Sequence, residues 1–261
     1  MSVIPYCCIR ERNRRDIMKL QVKPQSASNA SETIYDLLRG RIIHFELLPG
    51  EVLSENSLAS SLGVSRTPVR VALSRLAEEG CIHVYPQRGT EVSYISAERV
   101  RQAVFLCTVL EQDALEQLCT QGVSDDEFRQ LEDNLRLQRR YYDQQHSEQL
   151  LEADVRLHRL LYSFCGREIA LTAIGAVNCD MMRIRYLQIR TYSYRVQMAA
   201  VASWENSLTE YRMILNALKK RDVNAVSLLS SNHISEVIWN IDNLRRIYPE
   251  YFTSGTQSAG G

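Results

Sequence analysis

The stretch Leu58-Ala59-Ser60-Ser61-Leu62-Gly63-Val64-Ser65-Arg66-Thr67-Pro68-Val69-Arg70 constrains this chain more than any other segment. It reads as a short apolar helix stopped by a glycine, a tight turn, and a second helix that opens on hydroxyls and arginines. Two helices joined by a turn of about 3–4 residues form the helix-turn-helix unit, whose second helix enters the DNA major groove. Gly63 supplies the left-handed backbone that ends the first helix. Ser65 stands where an N-cap is wanted, Pro68 is tolerated in a first turn, and Arg66 and Arg70 lie four apart on one face. The competing reading is a helical hairpin with a structural role only.

The flanks favour the DNA-binding reading. Ile34, Leu37, Leu38, Ile42 and Ile43 recur at near-helical spacing and predict an amphipathic helix over 31–44. Pro49-Gly50 then breaks the chain before Ser54 caps the next helix. Val69, Leu73 and Leu76 give the second helix of the motif an apolar stripe. Cys81 to Tyr85 favours a strand, Pro86-Gln87-Arg88-Gly89 a turn, and Thr90 to Tyr94 a second strand. A hairpin placed directly after a recognition helix is a wing. Arg88 at its tip could enter a minor groove, whose negative potential attracts arginine.

With these residues in place, the chain resembles the GntR family of bacterial transcription regulators. The resemblance rests on Leu48-Pro49-Gly50-Glu51-Val52-Leu53-Ser54-Glu55, Leu58-Ala59, Gly63 through Arg70, Ala72-Leu73, Leu76, Gly80 and Arg88-Gly89, and it covers residues 31–95. It implies a winged helix whose recognition-helix start meets bases and phosphates while the wing enters the minor groove. Ser65, Arg66, Thr67, Pro68 and Arg70 are thereby implicated in the major groove, and Arg88 and Gly89 at the wing. Arg39 and Arg41 of the first helix are candidate phosphate contacts.

Charge complicates a simple electrostatic picture. Residues 31–95 hold Arg39, Arg41, Arg66, Arg70, Arg75 and Arg88, no lysine, and eight acids (Glu32, Asp36, Glu46, Glu51, Glu55, Glu78, Glu79, Glu91). The overall basic footprint of many nucleic-acid binders is missing. Non-specific affinity depends on neutralising phosphates, so it should be modest. Two modules carried on a homodimer would compensate through avidity.

A chain of 261 residues suits two domains. No run of about 18 apolar residues occurs, so no membrane span is expected, and the start lacks a signal-peptide core. Arg10, Arg12, Arg14, Arg15, Lys19 and Lys23 make the first 24 residues basic. They read as a disordered leader, with a start at Met18 as one variant and a DNA-contacting arm as the alternative. Seven scattered cysteines without metal-type pair spacing suit a reduced, cytoplasmic protein. Adjacent Cys7 and Cys8 read as a bystander pair, with a redox sensor as the alternative.

From Ser96 the strand-like alternation stops and about six helices are expected, enough to bury a core. Ser96 and Gly122 bound the first, and Ser124 with Glu127 has capping-box spacing. Ser147 to Gly166, 168–193, 195–220 and 222–247 follow, with Asp222 at an N-cap. The fold class is thus mainly α: a winged helix-turn-helix with a small β-hairpin, then an all-α bundle. The expected layout is a leader over 1–28, the winged domain over 29–95, an effector-binding and dimerisation domain over 96–249, and a flexible tail over 250–261.

Asp154 and His158 are four apart on one helix, and a carboxylate with an imidazole can ligate a divalent metal. A plain hydrogen-bonded pair fits the same spacing. The helical part also resembles the ligand-sensing domain of the fatty-acid-regulator-like (FadR-like) branch of the GntR family. That likeness rests on Leu110-Glu111, Ala114, Asp154-Val155-Arg156-Leu157-His158, Ala217-Leu218, Arg221-Asp222, Ala225 and His233, and it spans residues 97–247. Many members hold a metal on an aspartate and three histidines. Asp154, His158 and His233 match three of those positions, but Tyr211 stands at the fourth. A phenol with a pKa of about 10 ligates poorly at neutral pH. Two alternatives follow: a zinc-, nickel- or manganese-type ion on three ligands with open places, or a metal-free pocket in which Tyr211 bonds a histidine.

Cys107 stands where the family commonly has an arginine, which puts the usual effector anchor in doubt. Arg183, Arg185, Arg190 and Arg195 are candidate carboxylate partners; Tyr186, Tyr192 and Tyr194 lie among them and suit either a cavity lining or core packing. The effector set taken forward is Arg183, Arg185 and Tyr211. The expected function is a bacterial repressor binding double-stranded operator DNA as a homodimer, its affinity set by an organic or sugar acid. The alternatives are a metal-dependent enzyme using Asp154, His158 and His233, or a DNA-binding protein whose second domain only dimerises. No nucleophile, phosphate-cradling loop or carboxylate dyad accompanies the metal-type residues, so no catalytic residue is assigned.

Overall fold

The computed structural model describes residues 27–85, 89–192 and 204–253. The chain divides into two compact units between Tyr94 and Ile95. Expectations placed on the leader, on Pro86-Gln87-Arg88, on Tyr194 and Arg195, and on 254–261 lie outside the described residues.

The first unit contains α1 (Ala27–Ile43), β1 (Val52–Leu53), α2 (Glu55–Leu62), α3 (Arg66–Glu78), β2 (Ile82–Tyr85) and β3 (Gly89–Val92). Ile34, Leu38 and Ile42 of α1 and Val69, Leu73 and Leu76 of α3 are buried, as their spacing predicts. Ser54 caps α2 by accepting the Ser57 N–H. Gly63 ends it at φ 67°, and the Val64 N–H returns to the Ala59 carbonyl at 3.1 Å. That return bond satisfies a carbonyl at the helix end and turns the chain sharply into α3.

The sheet is antiparallel with order β1-β3-β2. Its hairpin pairs Ile82 with Val92 and Tyr85 with Gly89, while β1 pairs Val52 with Glu91. The third strand was not expected, because two residues carry no periodicity and only pairing reveals them. A second unforeseen feature ties α1 to the end of α3. Tyr35 Oη and Arg39 Nε donate to Glu79 at 2.5 and 3.0 Å, and the Arg75 guanidinium lies 3.6 Å over the Tyr35 ring.

The second unit contains α4 (Ala97–Gln121), α5 (Asp125–Asp143), α6 (Ser147–Phe164), α7 (Glu168–Gly175), α8 (Cys179–Tyr192), α9 (Trp204–Lys220), α10 (Val223–Trp239), α11 (Ile241–Ile247) and a 3₁₀ turn (Pro249–Tyr251). The caps at Ser96 and Asp222 and the Ser124–Glu127 capping box all form. The core joins buried positions of every long helix, among them Leu115, Leu118, Leu131, Leu150, Leu157, Leu161, Ile184, Leu208, Ile214 and Val226.

Two predicted helices break where apolar spacing alone runs on. The 168–193 segment splits after Gly175, and Asn178 restarts it by accepting the Met182 N–H at 2.9 Å. The 222–247 segment splits at Asn240, whose side-chain amide donates to the Glu236 carbonyl at 3.2 Å. A short amide that competes for the carbonyl of residue i−4 diverts the backbone ladder. Residues 250–253, expected to belong to a flexible tail, are instead held in place. Tyr251 and Phe252 are buried, and Ile95 exchanges backbone hydrogen bonds with Tyr251 and Thr253 at 2.9 and 3.0 Å. No helix among the described residues is long and apolar enough to cross a membrane.

Candidate functional site

In the first unit, the apolar face of α3 is consumed by packing, with Val69, Ala72, Leu73 and Leu76 all buried. Its opposite face begins with Ser65, Arg66, Thr67 and Arg70, all exposed. Ser65 occupies the N-cap position but makes no side-chain cap bond, so its hydroxyl is not spent on the helix. Arg66 and Arg70 expose 59% and 66% of their side chains, and both converge on Glu55 at 3.5 and 3.1 Å. Their hydrogen bonds, Arg70's foremost, hold the Glu55 carboxyl below the usual carboxylate range despite the small opposing effect of burial. An exposed pair of this kind is worth about 0–1 kcal/mol, so a phosphate or base edge can displace it. Glu55 therefore orients both guanidinium groups without locking them. No sequence spacing signals this role, because it depends on α2 crossing the start of α3.

Three residues expected to contact DNA take part in the fold of this unit. Pro68 is buried in the first turn of α3, so it shapes the helix and presents no DNA-facing side chain. Arg39 is engaged by Glu79, and Arg41 is buried beside Glu46 at 3.6 Å. Gly89 opens β3 at φ 100°, a backbone conformation that side chains rarely adopt. Arg88 lies just outside the described residues.

In the second unit, five helices bring polar side chains to one buried centre. α6 supplies Asp154 and His158, α8 Arg185, α9 Glu210 and Tyr211, α10 His233 and Glu236, and α4 Glu111. One candidate ligand atom from each of Asp154, His158 and His233 lies within 4.8 Å of the others. The expected trio is thus assembled as a grouping that could hold a cation. Each histidine is oriented by a carboxylate on its far nitrogen: Glu111 lies 2.5 Å from His158 Nδ1, and Glu210 lies 2.7 Å from His233 Nδ1. Such outer partners fix the ring and its tautomer.

Tyr211 sits among them. Its hydroxyl donates to Asp154 and lies 2.9 Å from His158 Nε2. Arg185 Nη2 donates to the second oxygen of Asp154 at 2.8 Å, and its guanidinium lies 5.0 Å over the Trp204 ring. Burial disfavours the Asp154 carboxylate, but Arg185 and the two imidazoles outweigh it and hold its pKa low. Burial likewise lowers His158, yet Glu111 and Asp154 reverse the sign and raise it. A charged His158 donates from both nitrogens, to Glu111 and to the Tyr211 oxygen, which in turn donates to Asp154. That order gives an acceptor to each donor from His158 through the Tyr211 hydroxyl to Asp154. Burial and Asp154 push the Tyr211 phenol well above its usual range. His233 falls below its usual value through burial, and its Nε2 has no hydrogen-bond partner among the described residues.

Arg183, expected beside an effector, is elsewhere. It is wholly buried and pairs with Asp180, which also accepts the Ser96 N–H at 3.1 Å and Arg99 Nε at 2.8 Å. Asp180, held by Arg183, thus pins the start of α4 to α8. Cys107 faces the interior one turn before Glu111, and burial followed by Glu111 pushes its thiol up to about 12. Such a thiol stays protonated and acts as a small apolar group.

Glu236 is buried next to this centre, and burial raises its pKa to about 7, with Arg185 opposing. A carboxyl that prefers its neutral form when folded costs stability as pH rises from its unfolded value of about 4.3 through 7. Glu236→Gln is expected to stabilise the protein by about 1–3 kcal/mol at pH 8 and by little at pH 4. Thermal unfolding at the two pH values checks this, and equal shifts at both would assign the effect to something other than ionisation.

Comparison with known proteins agrees with both halves. Residues 30–92 match the family described as bacterial regulatory proteins, gntR family, and residues 102–236 match the FCD domain. The HTH-type transcriptional repressor RspR of Escherichia coli strain K12 is 30% identical over 236 residues, covering 90% of this chain and 98% of that protein. An HTH-type transcriptional regulator from an unstable DNA locus of Streptomyces ambofaciens is 32% identical over 222 residues, covering 85% and 89%. The solved structure of E. coli McbR/YncC shares the fold, with a TM-score of 0.66 at 20% identity over 85% of this chain and 98% of that one. The matched domains and relatives are transcription regulators rather than enzymes. The chain belongs to the gntR family of bacterial regulatory proteins, as a member with an FCD domain behind its winged helix.

Proposed function

We propose that this regulator is a homodimeric repressor that binds double-stranded operator DNA and loses affinity when an organic or sugar acid enters the helical unit. The observation that carries the DNA reading is the division of α3. Its apolar stripe is buried while Arg66 and Arg70 project from its first two turns, held loosely by Glu55. Ser65 and Thr67 flank them, and Gly89 is proposed as the wing contact together with Arg88, which lies outside the described residues. The name of the RspR relative supports repression as the sign of control.

The effector reading rests on the buried centre. His233 Nε2 is an acceptor suited to a ligand hydroxyl; the Tyr211 ring lies 4.3 Å from the imidazole, centroid to centroid, and the Arg185 charge is near enough to help burial lower its pKa. Half-sites must meet both winged units at a fixed spacing, so a small helix shift alters operator affinity. Couplings of this kind are typically about 1–3 kcal/mol.

Arg66→Ala and Arg70→Ala are each expected to weaken operator binding by about 1–3 kcal/mol, and random-sequence binding by less. Titrations of both DNAs at one salt concentration measure the difference. An equal loss on both would make the arginines phosphate contacts only and would remove the basis for sequence reading by α3.

A further inference from the structure

The Asp154, His158 and His233 grouping invites a divalent cation, but its donor atoms are already engaged. One Asp154 oxygen accepts from the Tyr211 hydroxyl and the other from Arg185. His158 Nε2 is 2.9 Å from the same hydroxyl, so of the three ligating groups His233 alone offers an unengaged atom. A zinc-type ion needs about 2.0–2.2 Å to nitrogen and oxygen donors. An ion bound to Asp154 and His158 at that distance would have to share the space of the Tyr211 hydroxyl, which already donates to Asp154 Oδ1 and lies 2.9 Å from His158 Nε2. It would also sit beside the Arg185 guanidinium, which is buried and paired with the same carboxylate. The residues present do not fit a resident metal.

We infer that this centre is metal-independent: the Tyr211 hydroxyl stands in the cation's place, and Arg185 supplies the positive charge that balances Asp154. The carboxylate-oriented histidines, which elsewhere would aim lone pairs at a metal, here serve a hydrogen-bonded cluster. His158 closes the relay through Tyr211, and His233 keeps one acceptor directed at the centre. Tyr211 is thus the residue that decides between ion and cluster, because histidine at that position would add a lone pair where the phenol places its hydroxyl. The inference concerns the same centre as the effector proposal. Its test reads metal content and stability, not operator binding, so either can fail alone.

The full-length protein, purified without chelator and without a metal-affinity column, is expected to carry far less than one metal ion per chain by elemental analysis. Its Tm is expected to be unmoved by EDTA or by added Zn²⁺, Ni²⁺ or Mn²⁺. Tyr211→His is expected to gain a metal response: Zn²⁺ at about 100 times its dissociation constant should raise Tm by roughly 5–10 °C. About one ion per wild-type chain, removed by EDTA with a fall in Tm, would overturn the inference. So would a folded Tyr211→His protein that responds to metal no better than wild type, since Tyr211 would then not be what excludes the ion. The wild-type measurement stands even if the variant does not fold.

Discussion

Arg185→Met is expected to lower stability by about 3–5 kcal/mol, because it keeps the side-chain bulk but strips a buried carboxylate of its cationic partner. Arg185 and Asp154 are both buried, on α8 and α6, and are joined at 2.8 Å. Asp154 would retain the Tyr211 hydroxyl, but a hydrogen bond replaces only part of what a guanidinium supplies to a charge removed from water. In a unit of this size the loss corresponds to a fall in Tm of roughly 6–20 °C. Pairing the change with Asp154→Asn removes the stranded charge, so the double variant should be more stable than Arg185→Met alone. Thermal or denaturant unfolding of the two single variants and the double variant measures the coupling. A double variant that loses the sum of the two single losses would mean that the pair does not carry this energy.

The second large effect concerns the winged unit on its own. Residues 27–95 cut away from the helical unit are expected to bind operator about 10²–10⁴-fold more weakly than the full chain, because the proposed homodimer would lose its second half-site contact. The reason is the acid excess of this unit. Arg39 and Arg41 are largely or wholly buried beside Glu79 and Glu46, and among the described residues the exposed cations Arg66, Arg70 and Arg75 each stand beside an acid, Glu55 or Glu32. A module with so few exposed cations has little phosphate attraction to spend and depends on two copies acting together. Binding of both proteins to the same operator at one salt concentration checks this. An isolated unit as tight as the full chain would remove the argument for a dimer.

Local chemistry made the winged unit legible. The Gly63 stop, the Ser54 cap and the apolar stripe of α3 are spacing and backbone effects within a few residues, and each appears where the spacing put it. The same holds for the caps at Ser96, Ser124 and Asp222. Reading failed where an interaction crosses the chain. Pro68 is assigned to the major groove only by the family resemblance, but the packing of α3 buries it. Arg183 and Arg185 are indistinguishable by composition, being two residues apart on one helix. A separation of about 200° around the helix axis sends them to different partners, Asp180 and Asp154. The Asn240 break was hidden because an apolar rhythm continues through it while a side-chain amide intercepts the ladder.

The linear chain determined that two modules exist, which of them resembles a DNA-binding unit and that Asp154 and His158 share a helix face, while the family resemblance added Tyr211 and His233 to that pair through matched order. Tertiary structure decided what those four residues are. Only the convergence of α4, α6, α8, α9 and α10 brings Glu111, Glu210 and Arg185 against them, and Coulomb and hydrogen-bond energies act over a few ångströms of space whatever the separation in sequence.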